Sequence, residues 1–106
     1  MKLLPSLKQK KRYVVFEMAG KDHFTAEEIK LEVDAALLLF LGQLGLAKAA
    51  PLFIKAKNNR FIIKINHKWV EELKAGLLLI KKIKNKPIIV RSVITSGTIQ
   101  KASAYL

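Results

Sequence analysis

The apolar residues of this chain switch repeatedly between the spacing of a strand and that of a helix. The order of those switches leaves few folds open. Arg12 to Ala19 (Arg-Tyr-Val-Val-Phe-Glu-Met-Ala) is rich in strand formers and bounded by Gly20, so it reads as a strand. Thr25-Ala26-Glu27-Glu28 is a capping box, with Thr25 as N-cap and Glu28 reaching back to it. Ile29, Val33, Leu37, Phe40 and Leu44 follow at helical spacing, and Gly45 supplies a stop. Two short β-rich runs come next, Leu52 to Ala56 and Arg60 to Ile65. Asn58-Asn59 lies between them, a turn pair because Asn tolerates left-handed dihedrals. Asn66 caps a second helix, with Glu71 and Glu72 early and Lys81, Lys82 and Lys84 late, matching the helix dipole. Its core stripe is Trp69, Leu73, Leu77 and Ile80, and Asn85 and Pro87 stop it. Ile88 to Thr95 reads as a fourth strand, Ser96-Gly97 as a turn, and Thr98 to Leu106 as a short terminal helix.

The order is βαββαβ. Two helices separated by strands in this way pack on one face of a four-stranded antiparallel sheet. The expected fold is therefore an α+β, ferredoxin-like or RRM-like sandwich. Residues 1–11 form a basic lead-in, and 12–106 one domain. Strand alternation turns Val14, Phe16, Phe61, Ile63, Ile88 and Val90 toward the helices. The opposite, open face then carries Tyr13, Val15, Phe53, Lys55, Arg60, Ile62, Lys64, Ile89 and Arg91.

Composition narrows the function. The chain has 106 residues, 51% of them apolar, enough to bury one core. It contains no cysteine, which excludes disulfides, thiolate metal sites and cysteine nucleophiles. Lys and Arg outnumber Asp and Glu by 20 to 8, a formal charge of +12, and such an excess points to polyanions. The distribution is uneven: six of the eight acids lie between Glu17 and Asp34, and the other two are Glu71 and Glu72. One part of the molecule should carry nearly pure positive potential; the bland alternative is a solvated basic surface. The apolar stretch from Ala35 to Leu52 is broken by Gly42, Gly45 and Pro51, so it reads as buried helix and strand rather than a membrane span. The opening Met1-Lys2-Leu3-Leu4-Pro5 lacks the length of a secretory leader, and a cytoplasmic location is expected.

An RRM stacks bases on sheet aromatics. Arg60-Phe61-Ile62-Ile63-Lys64-Ile65 lacks the glycine and the aromatic ladder of that signature, and Phe61 reads as core. Phosphate contacts from Lys8, Lys10, Lys11, Lys55, Arg60, Lys64 and Lys101 are the expected mode. Arg91-Ser92-Val93-Ile94-Thr95-Ser96-Gly97-Thr98 runs from a strand toward a helix start. Its free amides and hydroxyls make either a phosphate seat or an ordinary cap, with Gly97 expected at a positive dihedral. Two distant histidines, His23 and His67, make no metal site. No nucleophile elbow, Walker loop or dinucleotide fingerprint is present. Both helices carry apolar residues beyond a single core stripe: Leu38, Leu39, Leu41 and Leu46 in the first, Leu78 in the second. With Phe53 on the sheet, these are the candidate protein interface.

Several pieces together resemble a known family. They are Leu4-Pro5-Ser6-Leu7 with Lys10-Lys11-Arg12-Tyr13, then Phe16-Glu17, then Asn66-His67-Lys68 before an apolar helix, then Arg91-Ser92-Val93 followed by Ser96-Gly97-Thr98-Ile99. The chain resembles the small RRM-like protein subunit of archaeal and eukaryotic ribonuclease P, known in archaea as ribonuclease P protein component 2. The resemblance implies a non-catalytic subunit of an RNA-catalysed endoribonuclease that matures the 5′ end of precursor tRNA. It implies ribonuclease P RNA, precursor tRNA and a TIM-barrel protein subunit as partners, in a hetero-oligomer such as a heterotetramer. It implies no cofactor on this chain, magnesium being expected with the RNA, and no membrane. Carried over as RNA contacts are Arg12, Tyr13, Asn66, His67, Lys68, Arg91, Ser96, Gly97 and Thr98. The alternatives are a ribosomal or generic RNA-binding protein and, further off, an acylphosphatase-like hydrolase.

Overall fold

The computed structural model describes residues 10–106; Lys8 and the Leu4-Pro5-Ser6-Leu7 motif lie outside the described residues. Among these, the elements are β1 (Lys11–Ala19), α1 (Ala26–Ala49), β2 (Leu52–Lys57), β3 (Arg60–Asn66), a 3-10 turn (His67–Trp69), α2 (Val70–Leu77), β4 (Lys82–Ile83), β5 (Lys86–Pro87), β6 (Ile89–Ser96) and α3 (Ile99–Ser103). The main sheet runs β2-β3-β1-β6, antiparallel throughout, and β4 pairs with β5 as a separate ribbon. This is the ferredoxin-like sandwich expected from the order of elements.

The core lies between sheet and helices. Val14, Phe16 and Met18 of β1 and Phe61, Ile63 and Ile65 of β3 meet Ile29, Val33 and Leu37 of α1 and Leu73 and Leu77 of α2. Phe61 stacks on Phe16 at 5.4 Å between ring centroids and on Phe53 at 5.7 Å. Phe53 therefore belongs to this core and not to the opposite face. Between Phe53↔Ile63 and Lys55↔Ile62 the register of β2 shifts, and that irregularity overturns the strict alternation that put Phe53 beside Lys55.

The first helix starts as the sequence dictates. Thr25 Oγ1 accepts the Glu28 amide at 3.2 Å, and Glu28 Oε1 accepts the Thr25 amide at 2.9 Å. It does not stop at Gly45 but at Ala49, and it is broken at Gly42, whose φ of 72° belongs to the left-handed region. The break resets which residues face inward. Before it the stripe is Ile29, Val33 and Leu37; after it Gly45 and Ala49 are buried, with Leu41 and Leu46 packed on the core. Leu44, placed in the stripe by unbroken helical spacing, is instead 70% exposed. Leu41 and Leu46, expected at a protein interface, serve the core for the same reason.

The second helix is shorter than its apolar stripe. Helix α2 ends at Leu77, and the segment read as its last turns forms the β4–β5 ribbon, turning at Lys84 and Asn85 with φ of 52° and 65°. Lys84 pairs with Glu28, and Lys86 with Asp22 at 3.5 Å, tying the ribbon to the start of α1. The Lys84 ammonium and the Thr25 amide hold the Glu28 carboxyl down to about 2, against an ordinary 4.5. The unfolded chain takes up that proton near pH 4.5 and the folded one only near pH 2. This contribution to stability is therefore complete above pH 4.5 and disappears as pH falls toward 2. Thermal midpoints measured across that window should fall less steeply for Glu28→Gln than for the natural chain.

Candidate nucleic-acid interface

The sheet face opposite the helices is not fully open. Helix α3 lies across it, and Val15 and Ile62 are both 0% exposed in a small cluster with Ala102, flanked by Tyr13, Ile54, Val93, Ile94 and Leu106. What remains accessible divides into two ends with different electrostatics.

At one end, Glu17 sits on central β1 between Arg60 of β3 and Arg91 of β6, its direct cross-strand neighbours. Arg60 donates to Glu17 Oε2 through Nη2 at 2.7 Å and Nε at 3.1 Å, and Arg91 Nη2 donates to Oε1 at 2.8 Å. Arg60 first, then Arg91, hold the Glu17 carboxyl below its ordinary range. Arg60 Nη1 also donates to the Tyr105 carbonyl at 2.6 Å, so this side chain ties the segment after α3 to the sheet. Three of its N–H groups are spent inside the protein, and Glu17 offsets one of the two charges. Arg60 and Arg91 were expected as phosphate contacts. The structure gives Arg60 a structural task and places Arg91 away from the other carried-over residues. Composition drew attention to the cations; the lone acid in β1, on the same face as Tyr13 and Val15, was the signal for this arrangement.

The other end is built by three chain segments that the antiparallel sheet brings together. The start of β1 supplies Lys10, Lys11 and Arg12, the end of β3 supplies Asn66 with His67 and Lys68 after it, and the end of β6 supplies Ser96, Gly97 and Thr98. Lys11 pairs with Asn66 and Tyr13 with Ser96 in the ladders. Asn66 is buried, and its Oδ1 accepts the Lys68 amide at 3.0 Å, which shapes the 3-10 turn. His67 donates its amide to the Lys10 carbonyl at 2.9 Å. Arg12 Nη1 donates to the Lys11 carbonyl at 3.0 Å, and a Cβ at Gly97 would lie 4.0 Å from that nitrogen. The Lys64 ammonium stands 5.9 Å from the centre of the Tyr13 ring, on the face that leads to this end. Partial burial first, then Arg12, Lys10 and Lys68, keep the His67 pKa below its ordinary value.

The Ser96-Gly97-Thr98 turn is a satisfied cap. Ser96 Oγ accepts the Thr98 amide and donates to the Thr98 carbonyl, both at 3.1 Å, while Thr98 Oγ1 accepts the Lys101 amide at 3.4 Å. Its hydroxyls are thus engaged within the turn. Gly97 does not hold the positive dihedral expected of it: Gly42 is the positive-φ glycine among the described residues. Gly97 and Thr98 are exposed beside Arg12, and Lys101 is exposed on α3. Lys55 is exposed on the edge strand β2, apart from this end.

The helical side is chemically different. Leu39 is 83% exposed, and Leu31, Leu38, Leu44, Leu78 and Leu79 are exposed with it. Leu39 and Leu79 line a shallow cleft of about 320 Å³ between α1 and the end of α2, with Lys81 and Lys82 at its rim. No helix among the described residues is long and apolar enough to cross a membrane.

Sequence comparison agrees with the geometry. Over 101 residues the chain is 39% identical to ribonuclease P protein component 2 of Pyrococcus abyssi, covering 93% of this chain and 86% of that protein. It is 40% identical over 101 residues to the protein of the same name from Thermococcus kodakarensis, covering 93% and 84%. A chain in the cryo-EM structure of yeast ribonuclease MRP shares the fold at a TM-score of 0.69 and 13% identity, covering 86% of this chain and 76% of its own. The family model described as the Rpp14/Pop5 family matches residues 12–106, nearly the whole described domain, and the chain belongs to that family.

Proposed function

We propose that this chain is a protein subunit of ribonuclease P. In this reading it holds RNA backbone at the cationic end of its sheet and a second protein subunit on the exposed leucines of its helices. The observation that carries the reading is the convergence of Lys10, Lys11, Arg12, Lys64 and Lys68 from separate segments onto one end of the sheet, in a family whose relatives bear the ribonuclease P name. Such a cluster positions RNA through phosphates and reads little sequence. In this proposal the chain is a non-catalytic member of the holoenzyme. The partner proposed for the leucine face is the TIM-barrel subunit, in a hetero-oligomer.

Affinity purification of the chain from its own cells is the direct test. The expected yield is one RNA species, a second protein subunit and 5′ processing activity on precursor tRNA. Recovery of ribosomal particles instead would overturn the proposal. The phosphate contacts have their own measurement. Each neutralised phosphate contributes a log–log salt slope of about −0.9 on duplex or about −0.7 on single strands. Arg12→Ala should flatten the slope by about one such unit and weaken binding to unrelated RNAs alike, as a sequence-blind contact does.

A further inference from the structure

We infer that His67 distinguishes RNA from DNA, by presenting its Nε2 as a hydrogen-bond acceptor to a ribose 2′-hydroxyl while the lysines and arginine around it hold the neighbouring phosphates. The inference rests on the reading of this end of the sheet as the RNA-binding surface.

The tautomer follows from the contact that the ring makes. His67 Nδ1 lies 3.3 Å from the carbonyl oxygen of Lys10, the same oxygen that accepts the His67 amide. A carbonyl oxygen only accepts, so Nδ1 carries the hydrogen. In the neutral ring Nε2 is then a bare lone pair. Among the described residues no group donates to it. The ring is held in place through two bonds to one carbonyl, on a 3-10 turn fixed by buried Asn66. Partial burial first, then the charges of Arg12, Lys10 and Lys68, lower its pKa and so favour the neutral ring.

The result is an acceptor set among donors. Phosphate oxygens have no use for an acceptor, so a surface that bound only phosphates would do better with a further cation in this position. The sugar–phosphate backbone of RNA has one donor, the 2′-hydroxyl, and the backbone of DNA has none. A neutral imidazole amid cations therefore pairs with the one backbone group that differs between the two polymers. Nothing in the base sequence enters, which agrees with a surface that reads backbone.

The test compares one single-stranded sequence in two chemical forms, as RNA and as 2′-fluoro RNA. Fluorine keeps an RNA-like sugar and removes the donor. The natural chain should bind RNA about threefold to tenfold more tightly than the fluoro form, the worth of one net hydrogen bond. His67→Ala should abolish that preference and leave affinity for the fluoro form within about twofold of the natural chain. His67→Gln, whose side-chain oxygen accepts, should restore part of it. Equal loss on both polymers in His67→Ala would overturn the inference, as would a preference that survives the substitution. Failure of the natural chain to bind either polymer is a different result: it overturns the RNA-binding reading itself.

Discussion

Replacing Phe61 by alanine should lower the thermal midpoint by roughly 12–40 °C, enough to unfold a domain of this size near its working temperature. The ring is wholly buried and stacked between Phe16 and Phe53. Removing a buried phenylalanine side chain costs about 3–5 kcal/mol through lost transfer energy and the cavity left behind. Small domains hold only about 5–15 kcal/mol in total. The experiment also decides a functional question. Phe61 occupies the strand where an RRM carries a base-stacking aromatic. A stacking ring would cost RNA affinity on truncation and leave the melting curve nearly unchanged. Differential scanning calorimetry beside an RNA titration separates the two, and a stable Phe61→Ala protein with weakened RNA binding would place the ring outside the core.

Leu39→Glu should weaken association with the partner subunit by about thirtyfold to several thousandfold, since a charge left unpaired in a buried interface costs ~2–5 kcal/mol. The side chain is 83% exposed in the isolated chain, so the substitution removes almost no packing from the core. The circular dichroism spectrum and midpoint should stay within experimental error of the natural chain. Isothermal titration against the co-purified subunit reads the affinity. Unchanged affinity would show that the partner docks elsewhere. Leu44 makes a useful second position, because the break at Gly42 turned it outward.

Much of this was legible in the sequence, and the rest was hidden for identifiable reasons. The capping box at Thr25 and the Asn58-Asn59 turn rest on neighbours in sequence, and both form; the two asparagines take φ of 52° and 61°. The order of elements was legible because each apolar run is long enough to show its period. Gly42 was legible as a breaker of the apolar stretch, but its effect on facing was not: the helical stripe was still carried through it to Leu44, which the left-handed dihedral at Gly42 turns outward. The ribbon after α2 was missed because Lys84 takes a left-handed turn while paired with Glu28, a residue far back in the chain. At the candidate site, the gathering of Lys10, Arg12, Asn66 to Lys68 and Gly97 followed from matching segments, but the pairing of Arg60 and Arg91 with Glu17 did not. It depends on the relative register of three strands, and one of its bonds spans 74 positions. The covering of Val15 and Ile62 was also invisible, since α3 is only five residues long and brings a single alanine, Ala102, to that cluster, with Leu106 packed beside it.

The central position of β1 sets the order in which the molecule can be made. Among the described strands it is the first to leave the ribosome, yet one of its two ladders pairs it with β6, the last. Until β6 emerges, β1 has one edge of unpaired amides and carbonyls, and the apolar residues of the half-sheet lack their final neighbour. Closing that ladder brings together positions such as Met18 and Val90, and loop-closure entropy must be met before those contacts offset it. Helix α3 can settle over Val15 and Ile62 only afterwards, because it follows β6 directly. The cationic end of the sheet joins the beginning of β1 to the end of β6, so it comes into being in the same late step. A chain that presents this cationic end is one in which β6 has been made and has closed its ladder on β1.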